Sequence, residues 1–207
     1  GADAEEWSAL DRTTTTLFLG ADGSIGPECP DGQETLSYVC DPKDPTPTLG
    51  GANLPPLPHG PRTQNALEKR KDLLVYSTGK LTSPLTLNGN ATLSFQVEVD
   101  RPCCDFMARL CDVDPDGKAY LLADAAVRIR DVKPGERTQV TLTFPTTSAT
   151  WPEGWNLRVY LSSSNWSRYE RNTHNGADHW EAADAESVNV TVVHPAKLTL
   201  PSLAGGK

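Results

Sequence analysis

Apolar and polar residues alternate along most of this chain, with the two-residue period of a strand that buries one face. The period holds in TTTTLFLG (13–20), LTLNGNATLSFQVEVD (85–100), DFMARLCDV (105–113), AYLLADAAVRIR (119–130), TQVTLTF (138–144), NLRVYLSSS (156–164) and SVNVTVV (187–193), and each predicts a strand. Helical periodicity is scarce, and only TQNALEKR (63–70) predicts a helical turn or two. Turn signals punctuate the strands at Asp22-Gly23, Asn88-Gly89, Pro115-Asp116-Gly117, Pro134-Gly135 and Glu153-Gly154. A parallel sheet would need crossover helices, which this pattern lacks. The expected fold is therefore all-β: a mostly antiparallel, jelly-roll-like β-sandwich with long loops, filling residues 1–207 as one domain.

Two segments break the alternation. Residues 40–61, CDPKDPTPTLGGANLPPLPHGP, are dense in Pro and Gly and cannot form a central strand, because proline has no N–H to give to a ladder. They read either as a linker or as an extended loop held against another surface, proline lowering the entropy lost on fixing it. Residues 162–187 begin as a strand end and continue as a long loop carrying Trp166, Tyr169 and Trp180. Aromatics on such a loop form either a contact surface or a lid over one end of the sandwich.

Charge narrows the functional classes. Nineteen Lys and Arg against 27 Asp and Glu give a net charge of −8, a surface that repels a phosphate backbone, so no nucleic-acid partner is expected. No apolar run approaches the roughly 20 residues of a membrane-spanning helix, and no membrane role is expected. The opening GADAEEWSALDR has neither the basic end nor the apolar stretch of a signal peptide, which leaves localisation open between cytoplasmic and secreted. Five cysteines cannot all pair with one another. Cys29 and Cys40 flank a short polar segment that would permit a disulfide in an exported protein, while Cys104 and Cys111 read as small buried hydrophobes. Sequons at Asn90, Asn165 and Asn189 carry little weight in a chain rich in Ser and Thr.

The search for chemistry is mostly one of elimination. Asp112, Asp114 and Asp116 ahead of Gly117 imitate the start of a calcium loop, but the twelfth position, where a bidentate Glu belongs, is Ala123, and both flanks read as strands. A hairpin with a Pro-Asp-Gly turn fits better. There is no Gly-x-Ser-x-Gly nucleophile turn, Ser24 having Gly26 after it but Asp22 before it. His174 and His179 stand five apart in an expected loop, and neither they nor the cysteines show zinc spacing. No metal site and no cofactor are expected, and the chain alone is not expected to be an enzyme.

The motifs are specific in their order. CDPKDPTPTLGG, GPRTQNALEKRKDLLVYSTGKLTSPLTLNG, DFMARLCDVDPDGKAYLLADAAVRIR, PGERTQVTLTF and NLRVYLSSSNWSRYERNTHNG together resemble the C-terminal, X-Pro dipeptidyl-peptidase C-terminal-like domain of the CocE/NonD α/β-hydrolases, from about Thr14 to Pro201. The resemblance implies a galactose-binding-domain-like sandwich that is non-catalytic. It implies partners normally in the same chain, an α/β-hydrolase domain with a Ser-His-Asp triad and a helical cap, and says nothing of oligomeric state. It also implies that the loop Asp44-Pro45-Thr46-Pro47-Thr48-Leu49-Gly50-Gly51 helps to wall an acyl pocket, with Asn53 and Leu54 facing it where relatives place bulkier apolar residues. Asn165, Trp166, Tyr169, Arg171 and Asn172 would dock the second loop. Cys40 and the Cys103-Cys104 pair depart from the family pattern. The rival expectation, on fold analogy alone, is a stand-alone carbohydrate-binding module stacking sugars on Trp166 and Trp180.

Overall fold

The computed structural model describes residues 12–51, 53, 55–56, 59–177, 180–181 and 183–203. Twelve strands form among them: β1 (Arg12–Leu19), β2 (Ile25–Gly26), β3 (Glu34–Cys40), β4 (Leu73–Ser77), β5 (Leu85–Gly89), β6 (Thr92–Val99), β7 (Cys104–Val113), β8 (Ala119–Ile129), β9 (Thr138–Thr143), β10 (Thr147–Trp151), β11 (Asn156–Ser162) and β12 (Val188–Leu203). TQNALEKR supplies only a 3-10 turn, Asn65–Lys69. No helix among the described residues is long and apolar enough to cross a membrane.

Every named strand pair is antiparallel. One sheet runs β2-β1-β12-β6-β9, with β3 also paired to β12; the other runs β4-β11-β7-β8; β10 and β5 form a separate ribbon. The expected all-β sandwich thus forms, and alternation explains its core. Leu93, Phe95, Val97 and Val99 of β6 meet Phe106, Ala108 and Leu110 of β7 and Leu157, Val159 and Leu161 of β11. Phe95 and Phe106 touch edge to face across the two layers, with ring centroids 5.5 Å apart. Tyr76 of β4 and His194 of β12 also join the sheets, through a 2.8 Å hydrogen bond between the phenol oxygen and Nε2.

The four-stranded sheet is covered on its outer face as well, which is why β7 is buried along nearly its whole length. Leu67, Leu73, Cys111, Val113, Ala119, Leu121 and Tyr160 make a second apolar cluster there, beneath the segment that leads to β4. A register shift between Leu110 and Cys111 lets β7 stay paired with β8 while it turns around this cluster.

Four expectations are corrected. Asn88-Gly89 is not a turn: both residues pair with β10, and the chain runs on through Asn90-Ala91 into β6, whose partner β9 continues the same ladder with a one-residue offset. The last strand is longer than the 187–193 segment read from sequence; the register shifts between Val193 and Lys197, and β12 then runs on to Leu203. β3, β4 and β10 form from segments in which no strand is predicted from sequence. Cys29 and Cys40 are free thiols, as are the other three cysteines. Cys40 is buried at the end of β3, whereas Cys29 is exposed ahead of that strand's start. The acidic turn does form the expected hairpin: Gly117 takes φ 84°, and the Asp114 carboxylate accepts from the Lys118 amide at 2.9 Å.

Candidate functional site

The two irregular segments meet on the outer face of the four-stranded sheet. Asp44 and Pro45 begin the first, and Pro47 pairs with Trp166 in an isolated parallel bridge. The Trp166 N–H donates to the Thr46 carbonyl at 2.9 Å, and the Thr48 N–H donates to the Trp166 carbonyl. Side chains strengthen this junction. The Thr46 amide donates to Ser164 Oγ at 2.7 Å, and the Thr46 hydroxyl donates to Asp72 at 2.7 Å. Asp72 also takes a two-point contact from Arg70 at 2.8 and 2.9 Å, and Arg70 reaches the Asp44 carbonyl at 2.7 Å.

The loop continues through Gly50 and Gly51, both with positive φ, and Gly51 exchanges two backbone hydrogen bonds with Gly60 at 2.8 and 3.0 Å. Asn53 then folds back, its amide nitrogen donating to the Gly50 carbonyl at 2.8 Å while its amide oxygen accepts from Arg168 at 3.3 Å. Leu54 lies outside the described residues.

Beneath the junction, β7 contributes a residue for which the sequence offered no role. Arg109 is 1% exposed. Its guanidinium donates to the Pro47 carbonyl at 3.2 Å, to Ser162 Oγ at 3.2 Å and to Asn165 Oδ1 at 2.9 Å, so it touches both loops and the end of β11. Burial pushes its pKa down to about 10, which leaves it protonated at neutral pH. The countercharge is one residue removed: Asn165 Nδ2 donates to Asp124 at 3.1 Å, and Arg168 Nε reaches the same carboxylate at 3.0 Å. A buried cation is costly unless its donors are satisfied, and here three oxygen acceptors and a relayed carboxylate meet that need.

A parallel arrangement holds the far end of the second loop. Asp105 of β7 takes Arg128 in a two-point contact at 2.7 and 2.8 Å and Asn172 at 2.8 Å. Asn172 in turn accepts the His174 amide at 2.8 Å. Tyr169 lies under the Arg168 guanidinium, 5.3 Å from centroid to carbon. Arg171 sits over both Trp166, at 4.7 Å, and Trp180, at 3.8 Å, so a guanidinium already occupies a face of each ring. Trp166 remains 40% exposed and Val39 50% exposed; Val39, Asp44 and Arg70 line an open cleft of about 640 Å³.

The expected site residues therefore assemble, apart from the undescribed Leu54, and the serines at 162–164 serve as hydrogen-bonding groups of the bend. Ser163 contacts Tyr38 at 2.8 Å, and Ser162 donates to the Ser164 carbonyl at 2.9 Å. Sequence reasoning missed Arg109, Asp124, Asp105 and Asp72. The one available signal was charge at alternate positions of β7 and β8, a pattern that also describes a solvated sheet face.

Comparison with known proteins agrees with this architecture. Cocaine esterase of Rhodococcus sp. (strain MB1 Bresler) is 33% identical over 193 residues, covering 84% of this chain and 34% of that enzyme. The chain thus spans about a third of the length of this curated relative. An α-amino acid ester hydrolase has the same fold over 90% of the chain and 36% of its own, with a TM-score of 0.80 and 21% identity. An aminopeptidase from the marine sediment archaeon Thaumarchaeota archaeon matches 92% of the chain and 36% of its own, with a TM-score of 0.80 and 20% identity. Residues 3–197 match the model of the X-Pro dipeptidyl-peptidase C-terminal non-catalytic domain, and the chain belongs to that family.

Proposed function

We propose that this chain is the C-terminal sandwich of a CocE/NonD-type serine hydrolase acting on ester or amide bonds, that it packs on an α/β-hydrolase domain and a helical cap, and that its 44–53 loop helps to wall the acyl pocket. The observation that carries this reading is the match of residues 3–197 to a domain defined as non-catalytic, combined with coverage of only about a third of the relative. The geometry supports the docking face. The second loop exposes Trp166 and β3 exposes Val39 beside a cleft that Asp44 of the first loop also lines, two large apolar side chains of the kind that are covered in an assembly. The carbohydrate-module reading gains little from the same residues, because Arg171 already stacks on both tryptophans.

Two preparations test the proposal. The chain by itself should neither react with a fluorophosphonate probe nor turn over a nitrophenyl ester. The complete reading frame that contains it should do both, and Trp166→Ala in that longer protein should weaken association of the sandwich, read as separation of two melting transitions. Saturable turnover by the isolated chain would overturn the assignment.

A further inference from the structure

The loop said above to wall the pocket contains Thr46, Thr48 and Asn53, yet it is fastened from below by side chains outside it. We propose that Arg109 is the positioning residue of this loop: buried in β7, it fixes the Pro47 carbonyl directly and, through Asn165 and Asp124, the Arg168 guanidinium that holds Asn53. This inference rests on the pocket reading for its functional consequence, though not for its geometry.

Three observations carry it. Arg109 is the point where the two loops and the sheet converge, donating to Pro47 of the first loop, Asn165 of the second and Ser162 of β11. Its planar fork satisfies divergent acceptors at fixed angles, which a lysine ammonium does not reproduce. The path from Arg109 to Asn53 is continuous: Asn165 bridges to Asp124 at 3.1 Å, Asp124 pairs with Arg168 at 3.0 Å, and Arg168 donates to Asn53 at 3.3 Å. A buried cation serving only stability could be replaced by an apolar side chain, as buried ion pairs often can. A positioning role differs, because the acceptors left behind are backbone and amide groups of the loops themselves.

The test uses Arg109→Met and Arg109→Lys. In this chain, amide exchange at Thr48 and Trp166, the two rungs between the loops, should accelerate at least about tenfold in Arg109→Met while β6 and β12 keep their protection. Arg109→Lys should restore part of that protection. Uniform acceleration across both sheets, or unchanged exchange at Thr48 and Trp166, would overturn the proposal. Should Arg109→Met fail to fold, Asn165→Ala, which leaves the cation in place and cuts its link to Asp124, should give the same selective pattern, and a uniform one would again overturn it. In the complete reading frame, Arg109→Lys should raise KM for ester substrates about fivefold with kcat within about twofold. A fall in kcat at constant KM would count against positioning. An inactive wild-type parent would instead remove the hydrolase reading and leave the exchange result to decide the role of Arg109.

Discussion

Gly50 shows how one residue carries a loop. Its φ of 75° lies where only glycine rests without strain, and a Cβ there would press on the Gly60 carbonyl oxygen and stand 2.7 Å from Arg62 Cβ. Both neighbours belong to the opposite side of the same loop, so neither can retreat without opening the Gly51–Gly60 pair. Gly50→Ala should therefore lower stability by about 2–4 kcal/mol in a urea titration. Gly79→Ala, at ordinary φ and with open space around its Cβ, should stay within about 0.5 kcal/mol of the parent. An equal cost at both positions would show that the loop is not held as described. Gly50 and Gly51 were legible in the sequence only as part of a Pro- and Gly-dense loop. Arg109 was not, because an arginine at an alternate strand position looks solvated until tertiary packing lays two loops over it.

At the scale of elements, strand identity was easier to read than strand length. β6 and β9 bury alternate residues as the pattern predicts, while the pattern carries the last strand only as far as Val193 and β12 runs to Leu203. It continues past Pro195, which cannot donate to a ladder, because the register shifts between Val193 and Lys197. β10 went unseen for a different reason: it pairs only with β5 in a two-stranded ribbon, and TSATW has little alternation of its own. Double-sided burial of β7 has a measurable consequence. Cys104 lies on its inner face and Cys111 on its outer, yet both are buried, Cys103 lies just ahead of it, and Cys40 sits in the core at the end of β3. Burial raises the Cys40 thiol to about 12 and pushes those of Cys104 and Cys111 upward too, which suppresses the reactive thiolate. One thiol, Cys29, should react with a maleimide in the native state and all five after denaturation; rapid native labelling of a second would contradict the burial of β7 and β3.

For the whole molecule, acid is the informative stress. His174 and His194 are both buried, and burial holds each below the ordinary imidazole value of 6.5, with Asp105 partly opposing this at His174 and Glu34 and Asp22 at His194. The unfolded chain then binds more protons than the folded one below about pH 6.5, so their contribution is complete above that value and is lost as pH falls. Asp22 and Asp100, held below 3.8 chiefly by hydrogen bonds from Ser24 and Asn189, add a second loss only in stronger acid. The urea midpoint should fall between about pH 7 and pH 5, and the slope should flatten in His174→Gln. A midpoint that is level over this range would contradict the burial of both imidazoles. The length of β12 has another consequence, for synthesis rather than stability. β12 is the last strand, and β1, β3 and β6 all take their long pairings from it. On a ribosome, β1 must wait for almost the entire chain to be made before its partner exists, because Arg12 pairs with Leu203. Closure of the larger sheet is thus a late, non-local event, and until it occurs three unpaired edges stand open to chaperones and to other nascent chains.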